Sequence, residues 1–393
     1  MNLTSRLRIL VRSACFSLFQ VINMKFSDIT GHRNVVDSLR NLVDSDRIPH
    51  AILIGGPSGI GKMRLVRALV NYIYCLDRHN GDSCGKCPAC LQNDHHNNPD
   101  LHYVFPRTGA STKSTDSFLP KWFEFLDESS FMPPEGWARH IEAANTVPVI
   151  YRSDADDISR TASLSSFAYR YKTYVIWLPE RMQPQCANAL LKLLEEPYPD
   201  TLFILVSNEP DKLLPTIFSR TQRFNLKPLP DEDISRMLTN AGLNSVEAHE
   251  VARLAEGSML KALDIAGEGG EIKEFSSYYM QMMRLAYARN AGAVRMLSEG
   301  IAALGREKTG RFLAYCARMT RESFICNLHH PQLNVMTKSE TDFNARFSPF
   351  VNHKNVERIM AEIQRAHTDV LRNGNAKLVL FDFMLKVMMQ LRR

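Results

Sequence analysis

The 393-residue chain is 45% apolar and 23% charged, with a formal net charge of +6. This is the balance of a globular protein with more than one core, and it excludes a disordered or low-complexity chain. No run reaches the ~18 apolar residues of a membrane span, so the reading is cytoplasmic with no membrane partner. The mild basicity permits nucleic-acid contact, but no dense Lys/Arg stripe argues for it.

Residues 1–23 carry Arg6, Arg8 and Arg12 ahead of Ala14-Cys15-Phe16-Ser17-Leu18-Phe19, a short, polar-interrupted imitation of a signal peptide. They lack a convincing cleavage site and are read as an extension ahead of a start at Met24. Helical spacing of Val35, Leu39 and Val43 predicts a helix over Met24 to Val43. Ala51 to Ile54 reads as a strand, and glycines and a helix with Leu65, Leu69, Tyr72, Ile73 and Leu76 follow. Leu101 to Phe105, Tyr174 to Leu178 and Thr201 to Ser207 are further strands, and Gln185 to Glu196 is a helix stopped by Pro197. Residues 107–145 hold Trp122, Phe123, Phe125 and Trp137 among Gly, Ser, Thr and Pro, and read as an insertion with some helix. After Pro228-Leu229-Pro230 helical periodicity takes over. The expected architecture is α/β: a parallel sheet flanked by helices over 24–228, a small helical lid over 229–272 and an all-helical domain over 273–393.

Gly56-Pro57-Ser58-Gly59-Ile60-Gly61-Lys62-Met63 follows a strand and opens a helix, the context a phosphate loop requires. Glycines let backbone N–H groups turn toward phosphate oxygens, the helix N-terminus adds positive potential, and Lys62 reaches the outer phosphates. Met63 lacks the hydroxyl that would ligate Mg²⁺. ATP or ADP can therefore be held through Gly56, Gly59, Gly61 and Lys62, but metal-assisted hydrolysis loses a ligand. In related ATPases a second apolar strand ends in an Asp-Glu pair that holds Mg²⁺ and prepares water. Here Trp177 and Leu178 stand at those positions, and Glu180, two residues late, reads as a solvated loop residue.

Cys75, Cys84, Cys87 and Cys90 offer four soft ligands in one short loop, which suits a closed structural Zn²⁺ site concerned with folding. An iron–sulfur cluster fits the spacing less well. The nearby His79, His95, His96 and His102 read as surface histidines. Cys15, Cys186, Cys316 and Cys326 are scattered among apolar neighbours, as free thiols in a reducing compartment are.

Together these features resemble the clamp-loader branch of the AAA+ family in bacterial DNA polymerase III. The resemblance rests on Phe26-Ser27-Asp28-Ile29-Thr30-Gly31-His32, Arg47-Ile48-Pro49-His50-Ala51, the four cysteines, and above all Asn188-Ala189-Leu190-Leu191-Lys192-Leu193-Leu194-Glu195-Glu196-Pro197. It covers roughly residues 24–270. It implies that the opening box lies beside the adenine pocket, that Asn208 lies near a γ-phosphate sensor, and that Arg220 in Ser219-Arg220-Thr221 points into a neighbouring subunit's ATP site. It also places Leu260 where a second sensor arginine is usual. The pattern is that of a delta-prime-type member with no ATPase of its own. The implied partners are gamma/tau and delta subunits, the sliding clamp, and primed DNA through the assembled complex. The residues leave two other readings: an ATP-hydrolysing gamma/tau-type motor, and a zinc-containing nucleic-acid-binding module with a vestigial nucleotide fold.

Overall fold

The computed structural model describes residues 24–109, 115–128, 131–143, 147–267, 269–328, 334–372 and 374–391, so the reading of residues 1–23 as an extension lies outside it. The chain forms two compact units, one through Asp264 and one from Ile265.

The first unit is organised by five strands: β1 (Ala51–Gly55), β2 (Leu101–Val104), β3 (Lys172–Trp177), β4 (Thr201–Ser207) and β5 (Gln222–Asn225). They pair in the order β2-β3-β4-β1-β5, and every pairing is parallel. β1, β3 and β4 are buried along their whole length, as strands covered on both faces must be. This is the α/β arrangement expected of an AAA+ module. The helices of this unit are α1 (Arg33–Asp44), α2 (Lys62–Tyr74), α3 (Pro88–Asp94), α4 (Leu119–Glu128), α5 (Pro134–His140), α6 (Arg152–Ala162), α7 (Pro184–Glu195), α8 (Pro215–Ser219), α9 (Asp231–Asn240), α10 (Ser245–Leu254) and the start of α11 (Met259–Gly267).

The helix read over Met24 to Val43 is shorter than expected. A 3₁₀ turn covers Phe26–Asp28, and α1 begins only at Arg33. Gly31 and His32 both take positive φ, of 72° and 54°, which breaks the helical path between the two segments. α2 is buried at every position except Arg64. At its end the Tyr74 hydroxyl donates to Asp100 O at 2.8 Å and lies 3.0 Å from Thr173 Oγ1, tying the helix to the starts of β2 and β3.

The insertion after β2 is a packed aromatic layer. Trp122 of α4 stacks on Phe105 with centroids 4.3 Å apart and meets Trp137 of α5 edge-on at 5.4 Å. Trp177, at the end of β3, closes the cluster at 5.3 Å from Trp122. Below it, Arg107 and Asp154 form a buried ion pair at 2.9 Å, and Arg107 lies over the Tyr151 ring. The pair fastens the root of the insertion to α6.

The second unit contains α12 (Gly269–Ala288), α13 (Ala291–Ala302), α14 (Arg306–Cys326), α15 (Lys338–Phe347), α16 (Val356–Leu371) and α17 (Ala376–Gln390). Its core is made by Tyr279, Phe312, Met319, Ile363, Phe383 and their neighbours. Buried Glu340 is held by Arg318 Nη2 at 2.5 Å, the Tyr315 hydroxyl at 2.6 Å and the Thr337 amide at 2.8 Å. Burial alone would raise the Glu340 carboxyl, but these partners, Arg318 foremost, outweigh it and hold it below its ordinary value. A carboxyl with a depressed folded pKa stabilises the fold above its unfolded value and loses that contribution as pH falls through the folded one. Glu340→Gln is therefore expected to be less stable than the parent above about pH 4.5, with the gap closing at lower pH. Urea midpoints measured across that range check it.

Candidate functional site

The phosphate-loop sequence lies between β1 and α2, with Gly56, Gly59 and Gly61 at φ of 146°, 82° and 88°. The loop is engaged with the protein's own atoms. Lys62 Nζ donates to Gly56 O at 2.7 Å and Pro57 O at 2.5 Å. Burial draws the Lys62 ammonium down to about 7, and Glu180 pulls it partly back. Met63 is 3% exposed, so the position of a metal-ligating hydroxyl is apolar core.

The start of α11 closes directly on the loop. The Met259 amide donates to Gly59 O at 2.9 Å, and the Ser258 hydroxyl donates to Ser58 O at 3.2 Å. A Cβ at Gly59 would overlap Ser258 Oγ and lie 2.7 Å from Leu260 Cβ. Gly59 is thus required both by its left-handed backbone and by this close approach. On the other side, His32 Nε2 lies 3.2 Å from Ile60 O.

Glu180 differs from the solvated residue that the sequence suggests. Its Oε1 accepts from the amides of Asn208 at 2.8 Å and Glu209 at 3.3 Å, and its Oε2 is buried. The left-handed Leu178 and the following 3₁₀ turn swing Glu180 back across the end of β4. Asn208 therefore meets the site through its backbone amide.

Arg220 caps α8 at the surface, its side chain 34% exposed. Nη2 pairs with Glu195 Oε1 at 2.7 Å, and Nη1 donates to Thr216 O at 3.1 Å. Glu195 belongs to the signature segment of α7, so the two motifs are adjacent in space.

The cysteines form a second centre. The sulfurs of Cys75, Cys84, Cys87 and Cys90 lie within 4.8 Å of one another, a group able to hold a metal ion. Cys75 ends α2, and Cys87 caps the start of α3. The Cys84 amide donates to Cys75 Sγ at 3.2 Å, and the Cys87 amide donates to Cys84 Sγ at 3.3 Å. Burial would raise the Cys84 thiol, but amide donors from Lys86 and Cys87 draw it down to about 6. Asp82, inside the loop, accepts from the amides of Phe26 and Ser27, both at 2.9 Å.

His79 and His95 are exposed, whereas His96 is not the surface residue the sequence suggests. It stacks on Phe123 at 4.5 Å and bonds Asp127 at 2.9 Å, joining the cysteine loop to the insertion. His102 is also half-buried, stacked on Tyr174 at 4.9 Å. Sequence reasoning missed both because their aromatic partners are remote in the chain.

The family described as DNA polymerase III, delta subunit, matches residues 31–230. The chain belongs to that family. The match bears out the clamp-loader resemblance. Over 232 residues, 56% of this chain and 58% of the relative, the chain is 30% identical to DNA polymerase III subunit delta′ of Bacillus subtilis. It is 28% identical over 249 residues to DNA polymerase III subunit tau of Escherichia coli, covering 62% of this chain and 32% of that one. The aligned part is thus less than two thirds of the length of either curated relative. A solved DNA polymerase III gamma subunit-related protein from Thermotoga maritima aligns with a TM-score of 0.40 at 14% identity, over 91% of this chain and 99% of that one. Among the described residues no helix is long and apolar enough to cross a membrane.

Because Gly59 serves a strained backbone and a contact with α11 together, Gly59→Ala is expected to destabilise the first unit by about 1–3 kcal/mol. A lowered urea midpoint checks it.

Proposed function

We propose that this chain is a delta-prime-type, non-hydrolysing subunit of a bacterial DNA polymerase III clamp loader. In this reading it presents Arg220 to the ATP of a neighbouring gamma/tau-type subunit. One contrast carries it: the chain's own phosphate loop lacks magnesium ligands, while a guanidinium stands at the surface in the Ser219-Arg220-Thr221 motif. Met63, Trp177, Leu178 and Leu260 each replace a group that a hydrolysing site uses, which disfavours the motor reading.

A planar, always-charged guanidinium suits charge that spreads over phosphate oxygens during γ-phosphoryl transfer. At rest Glu195 holds it in place. An ion pair this exposed is worth only ~0–1 kcal/mol, so a neighbour's triphosphate can take over the guanidinium at little cost. Glu195 thus pre-orients the arginine without trapping it. Within the loader the chain would stand between a gamma/tau subunit and the delta subunit, assembled through the helical second unit, and help place the sliding clamp on primed DNA. The compartment is the cytoplasm.

We assign the cysteine group to structural Zn²⁺. A tetrahedral zinc with four thiolates sets sulfurs about 3.8 Å apart, within the spread of this cluster. All ligands are protein atoms, leaving no open position for a substrate. Bound zinc would supply the cation that buried thiolates need and fix the end of α2 to α3.

Arg220→Ala is expected to slow the DNA-stimulated ATPase of the reconstituted loader by ~10³-fold or more at the affected site, with assembly intact. Turnover equal to the parent's would remove the finger assignment. Cys87→Ser is expected to lose metal and lower the melting temperature. Zinc content by atomic absorption, read beside thermal unfolding, tests this, and a metal-free variant as stable as the parent would refute a structural role.

A further inference from the structure

Beside the phosphate loop lies a crevice into which the remainder of any bound nucleoside phosphate would extend. Its walls are Ile29 and Thr30 of the opening segment, Ile60 and Gly61 of the loop, and Leu229 and Met237 from the lid side. The crevice is apolar and of the kind that takes a flat ring. It is already filled. Phe131, delivered between α4 and α5 by the aromatic insertion, is 8% exposed there. A Cβ at Gly61 would lie 3.5 Å from the Phe131 ring, and the Arg64 guanidinium sits over that ring at 5.7 Å. The remaining space is about 10 Å³, at the limit for a single water.

We propose that Phe131 is an internal occupant of the base crevice, so that the insertion keeps this phosphate loop closed to nucleotides. Three further contacts agree. Lys62 is turned onto the loop's own carbonyls, Glu180 occupies the Asn208 and Glu209 amides, and α11 seats on Gly59. The Lys62 ammonium and the Asn208 and Glu209 amides are thus each matched by a protein atom. The insertion can hold Phe131 there because α4 is anchored on Trp177, which stands in place of an acidic metal ligand, and α5 packs on α4 through Trp137. The residue that removes magnesium chemistry and the residue that fills the crevice therefore belong to one packed layer. This inference stands apart from the Arg220 assignment, which concerns a different face and is read in the assembled loader.

The test is a titration of the full-length, metal-loaded chain with N-methylanthraniloyl-ADP and magnesium, followed by fluorescence. Phe131→Ala is expected to bind at least ~10-fold more tightly than the unmodified chain, since a closed state reduces apparent affinity by the fraction open. Adding Lys62→Ala to that variant is expected to abolish the gain, showing that the nucleotide sits on the loop. Phe131→Leu, which keeps an apolar side chain, serves as a second variant if the alanine form does not fold. The proposal is overturned if the unmodified chain binds as tightly as the variants, or if neither opened variant binds better than the parent.

Discussion

The contact between Trp177 and the insertion governs much of the first unit. Trp177 ends β3, and its ring reaches Trp122 and Phe125, so the C-terminal end of this interior strand and α4 share one aromatic layer. Such ring pairs are worth ~0.5–1.5 kcal/mol each beyond their burial, and several meet here. An aspartate at this position would put a carboxylate among buried rings, which is costly without a partner. A catalytic carboxylate and this insertion are thus physically incompatible at one position.

The same substitution reshapes the neighbourhood. With Trp177 committed to the layer, Leu178 turns left-handed and Glu180 folds back onto the amides that follow β4. The loop lysine donates to carbonyls of its own loop. The outcome is a joint between sheet and lid that holds itself together. Arg220 lies outside that joint, in contact with α7 and exposed to solvent. A packed interior and an accessible arginine are what the proposed role on a neighbouring subunit requires.

Much of this was legible in the sequence, for physical reasons. Fully buried parallel strands read as unbroken apolar runs, so β1, β3 and β4 were visible within a residue or two. β5 was not, because an edge strand with the polar sequence Gln222-Arg223-Phe224-Asn225 buries only Phe224 along its length. The cysteine cluster was legible because its ligands are local. The roles of Glu180, His96 and Phe131 were not, because each depends on a partner 28 or more residues away. The insertion looked irregular since its order comes from rings that meet across α4, α5 and β3, which no periodicity records.

Asp82 joins two parts of the chain that are made at different times. Its carboxylate receives the amides of Phe26 and Ser27, yet it sits between Cys75 and Cys84. On a ribosome the opening segment would emerge first and find no acceptor until the cysteine loop had followed it out and closed. Seating of the domain's first turn therefore waits for a loop made more than fifty residues later.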